Sequence, residues 1–160
     1  MAVLCTPNLR REGGNARFEG KTARHDRSTN NRAIIGGVVP DDDGSLDALA
    51  GESYLYLTTT GRRTGRAHEI EIWFALDGRS AYLLSGGGDR ADWVRNLRVR
   101  PACGARIGGR EFASHGRILE RGTAEDERAR GMLFEKYQPG YSGDLTEWRA
   151  TALAVALDLT

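Results

Sequence analysis

Between positions 61 and 66 the chain reads Gly-Arg-Arg-Thr-Gly-Arg, so Arg62, Arg63 and Arg66 project three guanidinium groups from five positions. Glycines let the backbone fold tightly, and a guanidinium offers a planar fork to phosphate or carboxylate. A charge-assisted hydrogen bond is worth roughly 1.5–3 kcal/mol where water is partly excluded, so two such contacts would anchor a phosphate. The same residues equally suit a solvated basic hairpin tip. A second stretch, Ser85-Gly86-Gly87-Gly88-Asp89-Arg90, runs from a predicted strand into a predicted helix. Bare backbone amides and a helix N-terminus can meet an anion there, or the glycines can form a plain connector. Gly86, Gly88 and Ala91 fit a loose GxGxxA pattern. A dinucleotide fold would need a parallel βαβ unit, however, and hairpins lie on both sides. In a third stretch Trp93 and Asn96 stand one helical turn apart, so an aromatic plate and an amide face one pocket, unless Trp93 packs in the core.

Other chemistries find no foothold. Cys5 and Cys103 are nearly a hundred positions apart, and His25, His68 and His115 are scattered singly, so no metal site assembles from local spacing. The two thiols read as bystanders, and His68 and His115 as ordinary strand residues without a nearby nucleophile. Net charge is +1, but residues 61–110 hold ten basic and five acidic residues and their flanks are acidic. Anion attraction is therefore local, which argues against bulk nucleic-acid binding. No apolar run approaches the roughly 18 residues of a membrane span. Met1 to Cys5 lacks the features of a signal peptide, so a cytoplasmic protein is expected.

These residues need elements to hold them. The 160 residues suit one domain. Residues 1–32 carry Leu4, Leu9 and Phe18 as their only large aliphatic or phenyl side chains, and Pro40 to Gly44 breaks regular structure. Residues 1–44 therefore read as a flexible extension and 45–160 as the domain. Tyr54 to Thr60 is a β-branched and aromatic run, and His68 to Leu76 alternates, with Ile70, Ile72 and Phe74 on one face. Asp77-Gly78 turns into Ala81 to Leu84. Asp89 caps a helix to about Val99, which Pro101 ends. Ala102 to Ile107 and Glu111 to Leu119 pair across Gly108-Gly109, Thr123 opens a helix to about Tyr137, and Leu153 to Leu159 alternates in a last strand. Six strands joined mostly as hairpins, with two or three helices, indicate a mainly β, α+β antiparallel barrel with helical insertions.

In this order the segments TTTGRRTGR at 58–66, LLSGGGDRADWVRNLRVRP at 83–101 and the terminal strand resemble the deazaflavin-dependent nitroreductase family. This is a family of split β-barrels within the flavin and deazaflavin oxidoreductase superfamily. The resemblance covers roughly residues 53–160 and rests on GR-x-[ST]-G followed by W-x-x-NL. It implies a six-stranded split barrel that binds coenzyme F420, with the arginine turn and glycine loop on its phosphate and acidic tail and the Trp and Asn helix along the deazaflavin. Carried over by motif, the cofactor residues are Arg62, Arg63, Thr64, Arg66, Gly87, Gly88, Arg90, Trp93 and Asn96. Tyr137 and Tyr141 are candidates to roof the acceptor and donate a proton, or else they pack on the barrel. Val94 stands where the family often has an aromatic, and the segment between the glycines and Trp93 is short.

Two functions follow. One is an oxidoreductase passing hydride from reduced F420 to an electron-poor small molecule such as a quinone, nitro compound or enone. The other is a non-catalytic carrier or sensor for a flavin-like, haem or lipid ligand, since relatives bind FMN, haem or lipids. Members of the family often pair through the barrel, so a homodimer is also a candidate.

Overall fold

The strands arise where β-branched and aromatic residues alternate. In β1 (Leu55–Thr60) Leu55, Leu57 and Thr59 are buried, while Tyr56, Thr58 and Thr60 are half-buried. The computed structural model describes residues 46–160. The expected extension, residues 1–44, lies outside the described residues.

After β1 come β2 (Ala67–Ile72), β3 (Ala75–Asp77), β4 (Ser80–Ser85), β5 (Ala102–Ile107), β6 (Arg110–Ile118) and β7 (Leu153–Leu159). They form one antiparallel sheet in the order β2-β1-β5-β6-β7-β4-β3. The sheet curls into the expected α+β split barrel, with three α-helices lying wholly within the described residues: α1 (Asp92–Val99), α2 (Ala124–Tyr137) and α3 (Thr146–Thr151).

There are seven strands among the described residues where the alternation gave six. The run His68 to Leu76 divides at Trp73-Phe74, because β2 pairs with β1 whereas β3 pairs with β4. The polar groups freed at this break are taken up by one side chain from α2. The Tyr137 hydroxyl accepts from the Phe74 N–H at 3.0 Å and lies 3.0 Å from the Phe74 carbonyl and 2.9 Å from that of Ser53, to one of which it donates.

Consecutive residues of β4 and β7 point to opposite faces, and each face builds its own cluster. Leu83, Val155 and Leu157 join Leu55, Leu57, Ile72, Phe74, Trp93, Leu97 and Ile107. Leu84, Ala154 and Ala156 join Tyr82, Leu133, Leu145 and Trp148, with Trp73, Tyr137 and Tyr141 packed at the margin. The helix α2 begins as its sequence requires, with Thr123 Oγ1 accepting from the Asp126 N–H at 3.2 Å. The start of α1 differs from the expectation. Gly88, at φ +54°, and Asp89 and Arg90 form a separate 3-10 turn, Ala91 occupies the N-cap without a side-chain bond, and the Asp89 carboxylate pairs with Arg98.

Candidate functional site

A cleft of about 700 Å³ opens between the β1–β2 turn and the first turn of α1. The turn is closed by the Gly61 N–H donating to the Arg66 carbonyl at 2.7 Å and the Gly65 N–H to the Gly61 carbonyl at 2.8 Å. Both glycines are required. Gly65 sits at φ +68°. A methyl at Gly61 would stand 2.7 Å from Thr64 Oγ1 and 2.8 Å from His68 Nε2.

Asn96 locks this turn to the helix. Its carbonyl oxygen accepts from the Arg62 backbone N–H and from Arg62 Nη1, both at 3.1 Å, and its amide donates to Thr59 Oγ1 at 3.2 Å. At 4% exposed, Asn96 has little water to share. Arg62 continues from Asn96 to Asp92, with Nη2 2.9 Å from the carboxylate. Its guanidinium therefore braces the cleft wall. Arg63 also lines the cleft but is exposed and has no ion pair among the described residues, which leaves its fork available.

Trp93 completes the opposite wall. It is 6% exposed, and its Nε1 has no hydrogen-bond partner among the described residues. An unsatisfied buried donor costs about 1–3 kcal/mol.

Of the residues picked from sequence, the structure brings Arg62, Arg63, Thr64, Trp93 and Asn96 together around this cleft. Arg66, Gly87, Gly88 and Arg90 are not in its lining. The glycine loop is closed on itself by Ser85 Oγ donating to the Gly88 carbonyl at 3.2 Å and the Arg90 N–H to the Gly87 carbonyl at 3.1 Å. Tyr137 and Tyr141 also lie outside the lining, in the second cluster. Tyr137 stacks on Trp73 with ring centroids 4.4 Å apart, and Tyr141 meets the same ring edge-on at 5.9 Å. Burial pushes the Tyr137 hydroxyl up to about 12.

His68, Ile70 and Asp92 line the cleft without having been singled out. Each had a signal. His68 shares strand parity with Ile70, and Asp92 precedes Asn96 by four positions, hence on one helix face.

Residues 41–158 match the F420H(2)-dependent quinone reductase family. The chain belongs to that family. It is an F420-dependent oxidoreductase, and FMN, the alternative cofactor to F420 on the sequence, is not supported. Among curated proteins none matches the chain. Solved structures share the fold. An F420-H2 dependent reductase, FDR-A, is 19% identical over 66% of this chain and 93% of its own, with a TM-score of 0.53. An F420 reductase is 20% identical over 76% of this chain and 96% of its own, with a TM-score of 0.54. HutZ, a haem storage protein from Vibrio cholerae, is 14% identical over 73% of this chain and 89% of its own, with a TM-score of 0.60. No helix among the described residues is long and apolar enough to cross a membrane.

Proposed function

We propose that the cleft between the 61–66 turn and α1 receives coenzyme F420, and that the protein uses it to reduce an electron-poor acceptor of the quinone, nitro or enone class. The observation that carries this reading is a cleft of about 700 Å³ lined by the Trp93 side chain and by Arg63, whose guanidinium has no ion pair among the described residues. Such a site fits a flat, acceptor-rich ring attached to an anionic tail. When bound, reduced F420 supplies the hydride.

The work of the chain is then placement. Trp93 offers an apolar face and one donor, Asn96 holds the turn at fixed distance from α1, and Arg63 and Thr64 are available to the tail. Gly87, Gly88, Arg90 and Arg66 enter only where the tail runs beyond the cleft. For a proton to the reduced acceptor, Tyr141 is the better candidate of the two tyrosines. Its hydroxyl has no hydrogen bond among the described residues, whereas the Tyr137 hydroxyl is engaged by backbone groups. Since Tyr141 is outside the cleft lining, this role requires an acceptor that reaches past it.

A haem carrier is the second reading, favoured by the imidazole of His68 in the same wall. Parallel titration of F420, FMN and haem into the protein separates the two. Tight F420 binding, with oxidation of its reduced form on addition of a quinone, is the expected result. Haem binding with no affinity for F420 would overturn the proposal.

A further inference from the structure

Away from this cleft, a second hollow of about 340 Å³ lies between α2 and α3, and three of its lining residues are arginines. Arg130 is 5% exposed and held from below, with Nε 2.9 Å from Asp126 Oδ1 and Nη1 2.6 Å from the Arg149 carbonyl. Arg121 donates through Nη2 to the Ala150 carbonyl. Both thereby satisfy carbonyls at the end of α3, which accounts for two arginines as helix caps.

Arg149 is not explained in that way. Its guanidinium lies over the Phe134 ring, 5.2 Å from the centroid, and has neither ion pair nor hydrogen bond among the described residues. Of the acids at the hollow, Asp126 is bound to Arg130, Asp144 accepts from the Thr146 N–H at 2.8 Å, and Glu127 lines the hollow with no ion pair among the described residues. The lining itself holds three guanidinium groups and one carboxylate, and most of the guanidinium N–H groups have no acceptor among the described residues. Arg121 and Arg130 are fixed by backbone and carboxylate contacts, and Arg149 rests on an aromatic ring. The donors are thus positioned before any ligand arrives, which lowers the ordering cost of binding.

We propose that this hollow binds a phosphate-type oxyanion through Arg121, Arg130 and Arg149, with the Thr146 hydroxyl on its rim. The volume leaves room for an organic substituent on the phosphate. This site is independent of the F420 reading, since it shares no residue with the first cleft.

The test is calorimetric titration of inorganic phosphate into the full chain, against chloride at matched ionic strength, in the parent, Arg149→Gln, Arg121→Gln and Arg63→Gln. One phosphate site that weakens about tenfold in Arg149→Gln or Arg121→Gln, the worth of one charge-assisted hydrogen bond, is the expected result. Arg63→Gln should keep that site. Thermal unfolding of each variant in chloride establishes that it is folded, and Arg130 is left intact because it is buried against Asp126. Phosphate binding no better than chloride, or lost in Arg63→Gln and retained in Arg149→Gln and Arg121→Gln, would overturn the proposal.

Discussion

Trp93 and Trp148 are buried almost equally, at 6% and 7% exposed, and neither indole N–H has a partner among the described residues. Their surroundings differ. Trp93 belongs to the first cluster yet lines an open cleft beside Arg62 and Arg63. Trp148 belongs to the second cluster, where Trp73 meets it edge-on at 5.8 Å and Gly86 covers its indole nitrogen. On the second side polar atoms are turned inward to hold strands together, as the Tyr137 hydroxyl does at the break between β2 and β3. On the first side Asn96 and Arg62 brace a gap instead of closing it. The same unsatisfied donor is thus a defect in one place and a binding opportunity in the other.

The largest effect that tests this contrast is expected at Trp93. Trp93→Ala should cost about 3–5 kcal/mol of stability, because the side chain also fills the first core, and should abolish measurable F420 binding. Denaturant unfolding and a binding titration on the folded fraction report the two losses separately. Unchanged affinity in that fraction would make Trp93 a core residue alone. Asn96→Ala comes next. It strands the Arg62 N–H and the Thr59 hydroxyl together, so about 2–3 kcal/mol of stability should be lost. F420 affinity should fall with it as the turn comes loose from α1. A variant with parental affinity would show that the cleft does not depend on this brace.

Much of this was legible in the sequence, and the reasons differ by residue. Alternation in Tyr54 to Thr60 and in Leu153 to Leu159 marked real strands, and Thr123 marked the start of α2, because each signal is local. The division of His68 to Leu76 was not legible, since it depends on the Tyr137 hydroxyl more than sixty positions later. In the candidate site, the glycines and arginines of the turn were visible as a cluster. That Asn96 and Asp92 would engage Arg62 was not, for spacing shows which residues share a helix face and says nothing of what lies opposite.

A smaller effect separates the sealed side from the open one by pH. The Tyr137 hydroxyl, ordinarily near 10, is pushed up by burial to about 12. The unfolded chain therefore releases this proton first, so the stability it contributes is complete below pH 10 and is lost as pH rises toward 12. Burial likewise raises the Cys103 thiol to about 11, with loss between 9 and 11, while it lowers Lys136 to about 8, which makes stability rise with pH from 8 to about 10.5. Subtracting Tyr137→Phe from the parent removes those shared contributions. The variant should be less stable by about 1–3 kcal/mol at pH 8, from the stranded Phe74 N–H, and the gap should narrow above pH 10. A constant gap from pH 8 to 12 would show that the hydroxyl does not stay protonated in the fold.

The arginines of the turn give a graded comparison within the open side. Arg63 lines the cleft with no ion pair among the described residues, and Arg66 lies outside the lining. Arg63→Ala should weaken F420 binding by about 1 kcal/mol at low salt, between the worth of an exposed pair and that of a desolvated one. Its salt dependence should flatten. Arg66→Ala should change affinity by less than about half that amount. Equal losses at both positions would assign the attraction to general charge on residues 61–66 and remove the distinction between the two.

The smallest effect returns to the two tryptophans. Phenylalanine in place of either removes the indole N–H and keeps an aromatic ring. At Trp148 the lost donor had no partner, so relief of an unsatisfied group offsets the lost packing, and stability should stay within about 1 kcal/mol of the parent. F420 affinity should not change. At Trp93 the same exchange should leave stability similar and yet reduce F420 affinity, because that side chain lines the cleft proposed for the cofactor and its ring shape changes. Affinity measured for both variants under one set of conditions decides the matter. If Trp148→Phe lowers affinity as much as Trp93→Phe, the indole nitrogen under Gly86 also contacts the ligand, and the second cluster is part of the site and not only its support.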